Sequence, residues 1–241
     1  MDRALFAAAT GMAAQQQNLD TIANNLANAD VVGFKGSEDE FTALAAPGVD
    51  GAGTVRTGEH ALFKQGKLER SNGPFDVAID GDGFFVVTNG HSRAYTRAGE
   101  FSRAADGTLR NAQGWQLAGV RIPAGARSAS VAEDGTVSVT TNAGTRTIAH
   151  LELAQFAAPE RLQSVDGALF TQTPGSGAPR LVAPGGPNGP NLRYGMLEQS
   201  NVSIVEAMMQ ILAAQRAYEA NAKGIQAADE MLRIADNLQR G

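Results

Sequence analysis

The sequence contains no cysteine. Disulfides, cysteine-ligated zinc and thiol catalysis are therefore excluded, although the compartment is not fixed by this alone. Aromatic residues make up only 6% of the 241 positions, with one tryptophan, and no cluster of aromatics or charges marks a ligand pocket. The formal net charge is −5 and no run of Lys or Arg occurs, which argues against nucleic acid or anionic lipid as a partner. No apolar run approaches the ~20 residues of a membrane span, so the chain is not expected to span a membrane. A cleaved signal peptide is not expected either. Ala4 to Ala14 is alanine-rich and mildly apolar, but Asp2 offsets Arg3 and the helical pattern continues to Leu26.

Catalytic patterns are equally scarce. His60, His91 and His150 are scattered and show no metal-ligand spacing. Neither a phosphate-binding G-x-x-x-x-G-K-[ST] loop nor a G-x-S-x-G elbow occurs. Asp80 and Asp82 in "IDGDGFF" resemble part of a calcium loop. That pattern lacks the third ligand before the glycine and the spaced Glu, so a plain turn is the better reading. Asp76 and Asp80 fall on one side of a predicted strand, as acid–base partners would, and strand alternation explains them equally well. Trp115 is expected in the core or at a strand edge. No enzyme, cofactor or metal is expected.

What is present is a 43% apolar, 19% charged chain with 28 glycines. These values suit a globular protein of one large domain or two small ones, with many turns. Near the N-terminus, Leu5, Met12, Leu19 and Leu26 recur every seven residues, and Ala8, Gln15, Ile22 and Ala29 follow at plus three. This is a heptad pattern. Beside it runs a polar stripe, Asn18, Thr21, Asn25 and Asn28, and only Asp2, Arg3 and Asp20 are charged before residue 30. A helix with so few charges is expected to be packed on more than one side.

Near the C-terminus, Ile204, Ile211, Tyr218, Ile225 and Leu232 repeat the seven-residue spacing, with Ala207, Ala214, Asn221, Ala228 and Ala235 at plus three. A helix from about 203 to 240 would be ~55 Å long. Ser203 is the predicted N-cap, with Glu206 completing a capping box. Between the ends, "FDVAIDGDGFFVVTNG" (75–90) reads as strands and turns, and "AADGTLRN", "AEDGTVSV" and "TTNAGTRT" read as hairpin turns with Gly at positive φ. Residues 174–190 hold five of the nine prolines and read as an extended connector.

The predicted fold is therefore α+β. Long N- and C-terminal helices pair in a coiled-coil-like layer, and a mainly antiparallel β domain lies between them. The expected segments are 1–35 (N-terminal axial helix and exit turn), 36–73 (connecting segment), 74–173 (β domain), 174–199 (Pro/Gly-rich connector) and 200–241 (C-terminal axial helix). Neither apolar stripe is buried by its own helix, so the helices are expected to pair with each other, with other subunits, or both. Leu5, Met12, Leu19, Ile22, Asn25, Leu26, Asn28, Ile204, Met208, Ile211, Tyr218, Ile225 and Leu232 are the expected subunit-interface residues. The asparagines would set register, because a mismatched neighbour leaves a buried amide unpaired. Gly33, Phe34 and Lys35 are the expected hinge into the β domain.

Three blocks resemble one family. "ANNLANADVVGFK" (23–35) is similar to the N-terminal signature of flagellar basal-body rod and hook proteins. "LEQSNVSIVEAMMQILAAQRAYEANAKGIQAADEML" (197–232) resembles its C-terminal counterpart, and "DVAIDGDGFFVV", "YTRAGEF" and "DGTLRNAQGWQLAG" resemble its β-domain motifs. The resemblance implies a structural subunit, exported by the flagellar type III apparatus without a cleaved signal. It implies assembly with copies of itself and other rod proteins into a periplasmic helical shaft; because a free monomer would expose both apolar stripes, the helices are expected to order on docking. "MDRAL", "GMLEQSNVSIVEAM" and the short 36–71 segment favour a proximal, F-type subunit. "AQQQNLD" and "QRAYEANAKGIQAADEML" look more like a distal, G-type one. An alternative of another class is an extracellular binding module on an oligomerising helical stalk.

Overall fold

A computed structural model describes residues 2–44, 53–186 and 189–240. The chain forms two compact units. One comprises residues 1–27, 37–60 and 202–241; the other comprises 28–36 and 61–201.

The first unit contains helix α1 (Asp2–Ala27), strands β1 (Ser37–Ala43) and β2 (Thr54–Ala61), and helix α2 (Ile204–Arg240). Ser203 caps α2, its Oγ lying 3.4 Å from the Glu206 N–H and its carbonyl accepting from Ala207 at 2.9 Å. This satisfies donors that the first turn leaves open. The two helices pack against each other, and α1 also packs against β1. On α2 the heptad residues Ala207, Ala214 and Ala228 are buried, and Ile211, Asn221 and Ile225 are half-buried. On α1 the most buried side chains are Ala14, Thr21 and Ile22. Small residues allow this approach: a Cβ at Gly11 would lie 3.1 Å from Asn221 Nδ2. The predicted helical pairing within the chain is thus present.

The second unit is built from β3 (Leu68–Arg70), β4 (Val77–Asp80), β5 (Phe84–Thr88), β6 (Arg93–Thr96), β7 (Ser102–Arg103), β8 (Thr108–Arg110), β9 (Gln116–Arg121), β10 (Ser128–Val131), β11 (Thr136–Thr141) and β12 (Gly144–His150). It continues with β13 (Leu153–Gln155), β14 (Gln163–Asp166), β15 (Leu169–Thr171), β16 (Arg180–Val182), β17 (Asn191–Tyr194) and β18 (Met196–Glu198). Among the described residues, a nine-stranded sheet runs β14-β15-β6-β5-β9-β8-β7, with β13 joining β5 to β16. A three-stranded sheet runs β10-β11-β12, and β17 pairs with β4 and β18 with β3. The pairings are antiparallel. The 174–199 segment, expected to be a Pro/Gly-rich connector, carries three strands, β16, β17 and β18, that pair with β13, β4 and β3.

Strand alternation explains the "GFFVV" run. Phe85 and Val87 enter a large aliphatic core with Ile79, Val137, Val139 and Leu153, whereas Phe84 enters a second, aromatic cluster with Tyr95 and Phe170. The central strand is buried on both faces, which is why its sequence is apolar without a break. The two Asp-Gly-Thr turns are built alike. Gly107 and Gly135 have φ +82° and +83°, and each N–H reaches back to Ala104 O or Ala132 O at 2.9 and 3.0 Å. Asp106 Oδ1 and Asp134 Oδ1 then accept from the N–H of Thr108 and Thr136 at 3.0 and 2.9 Å.

Candidate functional site

The "GFK" segment ends in a clamp within the second unit. Gly33 has φ +69°, and a Cβ there would lie 2.2 Å from the Ala98 nitrogen, so only glycine permits both the conformation and the approach. Its N–H donates to Glu198 O at 2.7 Å. Phe34 is buried at 5% exposure. Lys35 turns fully inward: Nζ donates to Glu198 Oε1 at 2.6 Å and to Lys64 O at 2.8 Å. Glu198 Oε1 also accepts from the Gly66 N–H at 2.8 Å, and Arg97 Nη1 lies 3.4 Å from Oε2. The Lys35 and Glu198 side chains are both 0% exposed. Burial pushes the Lys35 ammonium below its ordinary pKa, opposed by the adjacent Glu198 carboxylate, and burial likewise lowers Arg97. Burying one charge demands a partner, and each of the three finds one here.

One turn further, Asn201 completes the clamp. Its Nδ2 donates to Leu62 O and Lys64 O at 2.6 and 3.0 Å, and its Oδ1 accepts from the Gly36 N–H at 2.8 Å. The chain position leading out to β1 and the one leading out to α2 are thereby held side by side. The expected hinge residues lie inside this arrangement. Gly33, Phe34 and Lys35 are buried and tied into the second unit, and the boundaries between units fall outside them, at 27/28 and 36/37.

Asn25 also departs from expectation. Its Nδ2 donates to Ser37 O at 2.7 Å and its Oδ1 accepts from Ser37 N at 2.9 Å. The amide mimics a strand partner and fixes where β1 begins, so its hydrogen bonds are made inside the chain. Asn28 lies past the end of α1, where its carbonyl accepts from Val31 N at 3.1 Å.

The other expected interface residues divide into two sets. Leu5, Met12, Leu19, Leu26, Ile211 and Ile225 are half-buried and Ile22 is buried, whereas Ile204, Met208 and Tyr218 are exposed. Leu232 is helical, and its side chain lies outside the described ones. Sequence reasoning missed a further apolar set on α2: Val205, Met209, Leu212, Met231 and Ile234, between 51% and 68% exposed. Their signal was available, because several flank the heptad positions directly. Glu198 and Asn201 were missed as well, although both lie in the "LEQSNV" motif.

The candidate chemical features have structural jobs. Asp76 is buried and accepts from the Ser71 hydroxyl. Asp80 pairs with Arg193 at 3.1 Å, so the two carboxylates are not a working pair. No cluster of three or more potential metal ligands occurs among the described residues, and none of their helices is long and apolar enough to cross a membrane.

Two terminal helices sharing a seam, and a β-unit that clamps both strands of its own connection, define a structural subunit organised for assembly. Three family models match in chain order: "Flagella basal body rod protein" over residues 5–35, "Flagellar hook protein FlgE/F/G D1 domain" over 78–139, and "Flagellar basal body rod FlgEFG protein C-terminal" over 193–238. The flagellar basal-body rod protein FlgG of Borreliella burgdorferi is 39% identical, covering 100% of both chains. FlgG of Agrobacterium fabrum is 36% identical over 96% of this chain and 97% of its own. FlgF of Caulobacter vibrioides is 32% identical over 98% and 97%. The chain belongs to the flagellar basal-body rod protein family, and it is a structural protein of the basal body, not an enzyme. The preference for an F-type subunit is not supported, because the FlgG relatives named here are more similar than the FlgF one. The short segment after "GFK" misled that choice: segment length varies more readily than the packed blocks on either side.

Proposed function

We propose that this chain is a distal, G-type rod subunit that polymerises into the periplasmic helical shaft carrying torque from motor to hook. It reaches that site through the flagellar export apparatus without a cleaved signal. The observation that carries the assembly is the second apolar face of α2. With the Ala207–Ile211–Ala214 seam turned toward α1, Val205, Met208, Met209 and Leu212 still stand exposed at 68, 53, 60 and 56%. Apolar patches of this kind are covered by partners, and heterologous contacts whose rotation does not close generate open helices. Leu5, Met12, Leu19, Leu26, Ile204, Tyr218 and Leu232 contribute where neighbouring helices meet, and the helices gain their full order on docking.

Complementation tests the reading. The chain should restore motility to cells lacking their FlgG and fail in cells lacking FlgF; the reverse pattern overturns the distal assignment. Replacing Met209 and Leu212 together by aspartate should abolish incorporation into rods while leaving the melting of the β-unit unchanged.

A further inference from the structure

Three Asn-Gly pairs occur in the chain, at 72–73, 89–90 and 188–189. Asn188 lies outside the described residues. Asn-Gly is a reactive dipeptide. The glycine nitrogen can attack the asparagine Cγ and close a five-membered ring, and glycine has no side chain to obstruct the closure. Whether a folded protein permits the reaction depends on how the carboxamide and the glycine N–H are held. The two described pairs are held differently.

At 89–90 both reacting groups are engaged. Asn89 Oδ1 accepts from the His91 N–H at 3.3 Å and from the Ser92 N–H at 3.0 Å, which ties the carboxamide into the turn between β5 and β6. The Gly90 N–H donates to Thr88 Oγ1 at 3.2 Å. That hydroxyl has no carboxylate partner among the described residues, so nothing there draws a proton from the glycine nitrogen.

At 72–73 the arrangement is reversed. Asn72 is exposed, and its side chain makes no hydrogen bond among the described residues. The Gly73 N–H donates to Ser71 Oγ at 3.3 Å, and the Ser71 hydroxyl in turn donates to Asp76 Oδ2. Asp76 also stands against the glycine itself, since a Cβ on Gly73 would lie 2.2 Å from Asp76 Oδ2. Asp76 is buried at 4% exposure. Its backbone is fixed on both sides: the Asp76 N–H donates to Gly73 O at 3.4 Å, and the Asp76 carbonyl accepts from the Gly195 N–H at 2.8 Å. A peptide nitrogen, a hydroxyl and a carboxylate are thus joined in one hydrogen-bonded chain, the arrangement by which a general base takes up a proton.

We propose that Asn72 is a self-modification site, converted to aspartate and isoaspartate with Ser71 and Asp76 removing the Gly73 amide proton. The Gly73 nitrogen attacks Asn72 Cγ. Its proton passes to Ser71 Oγ as the Ser71 proton passes to Asp76. The new C–N bond closes a succinimide, the proton returns along the same path to the carboxamide nitrogen, and ammonia leaves. Water then opens the ring at either carbonyl, giving aspartate or isoaspartate. Ser71 touches a reacting atom, and Asp76 acts through Ser71. Both products add a negative charge. Isoaspartate also lengthens the backbone by one methylene between β3 and β4, where the Ser71 N–H donates to Gly195 O at 2.9 Å and the Tyr194 hydroxyl to Pro74 O at 3.0 Å. That product therefore loosens the β-unit, and it is a substrate for enzymes that methylate isoaspartyl carboxylates.

Ageing the purified full-length chain at neutral pH tests this, with peptide mapping by mass spectrometry to follow each asparagine and enzymatic methylation to count isoaspartate. Deamidation at Asn72 should run about tenfold or more faster than at Asn89 in the folded chain. In urea-unfolded chain the two rates should converge, because both are then plain Asn-Gly pairs. This comparison needs no substitution. Ser71→Ala should slow the Asn72 reaction about tenfold, and Ser71→Thr, which keeps the hydroxyl, should restore it; the urea midpoint of each variant confirms that the β-unit is folded. Equal rates at Asn72 and Asn89 in the folded chain overturn the site. A preference for Asn72 that survives unfolding, or a folded Ser71→Ala chain that reacts as fast as Ser71→Thr, overturns the part played by Ser71 and Asp76.

Discussion

The two units handle apolar surface in opposite ways. The β-unit encloses a large core, in which Ile79, Phe85, Val87 and Leu153 are all at 0% exposure. The helical unit leaves Phe6, Met209 and Leu212 at 56 to 60%. A two-helix layer has only one inner seam, so the rest of each helix surface remains available, whereas stacked sheets enclose a core on both faces. The β-unit therefore fills a core as a single copy, and the exposed apolar face of α2 is the surface proposed to meet neighbouring subunits.

Substitutions can break that contrast, beginning with the largest effect. Lys35→Met leaves the Glu198 carboxylate buried without its main partner, which should cost about 3–5 kcal/mol, read as a lowered urea midpoint for the β-unit. Adding Glu198→Gln should recover part of the loss. Gly33→Ala forces a side chain into the left-handed region against the Ala98 backbone and should destabilise the same transition by about 1–3 kcal/mol or more. Asn25→Leu removes both bonds to Ser37 and should cost about 1–2 kcal/mol, read as earlier melting of helical dichroism. If rods still form in full order, the asparagine serves only its own chain. Met209→Ser with Leu212→Ser should alter monomer stability by no more than about 0.5 kcal/mol and still impair sedimentation of assembled rods. A large monomer effect would show that this face is already packed.

The smallest effect is acid dependence in the β-unit. The Thr108 hydroxyl and N–H, with Arg110 nearby, hold the Asp106 carboxylate at about 2, below its ordinary 3.8. A depressed carboxylate stabilises the fold above its unfolded value. That contribution is full above about pH 4 and disappears as the pH falls toward 2. Asp106→Asn should flatten the acid limb of a urea-midpoint profile in that window, lowering the neutral plateau slightly and converging with the unsubstituted chain near pH 2.

Local features were legible in the sequence. The seven-residue spacing gave the α2 seam, because helical geometry places such residues on one face. Asp-Gly-Thr gave both turns, because the aspartate, the glycine and the threonine amide act within four residues. The Ser203 cap was legible for the same reason. The clamp was not: Lys35 and Glu198 are 163 residues apart, and neither periodicity nor composition pairs them. Gly33 was read as a turn from its residue type, whereas its close approach to the Ala98 backbone depends on the fold. Asn25 was read as a buried polar group seeking a partner, and the partner lies twelve residues ahead in its own chain.

By itself, the sequence determined that the chain has helical ends, turn-bounded strands between them, and the motifs of a rod protein, since these rest on short-range geometry and residue type. Tertiary structure alone decided which polar groups are spent internally and which surfaces remain for others. Burial and pairing are properties of what lies across the fold: the exit segment became an anchor when Glu198 and Ala98 closed on it, and Val165 stayed outward because, among the described residues, no strand lies beyond β14.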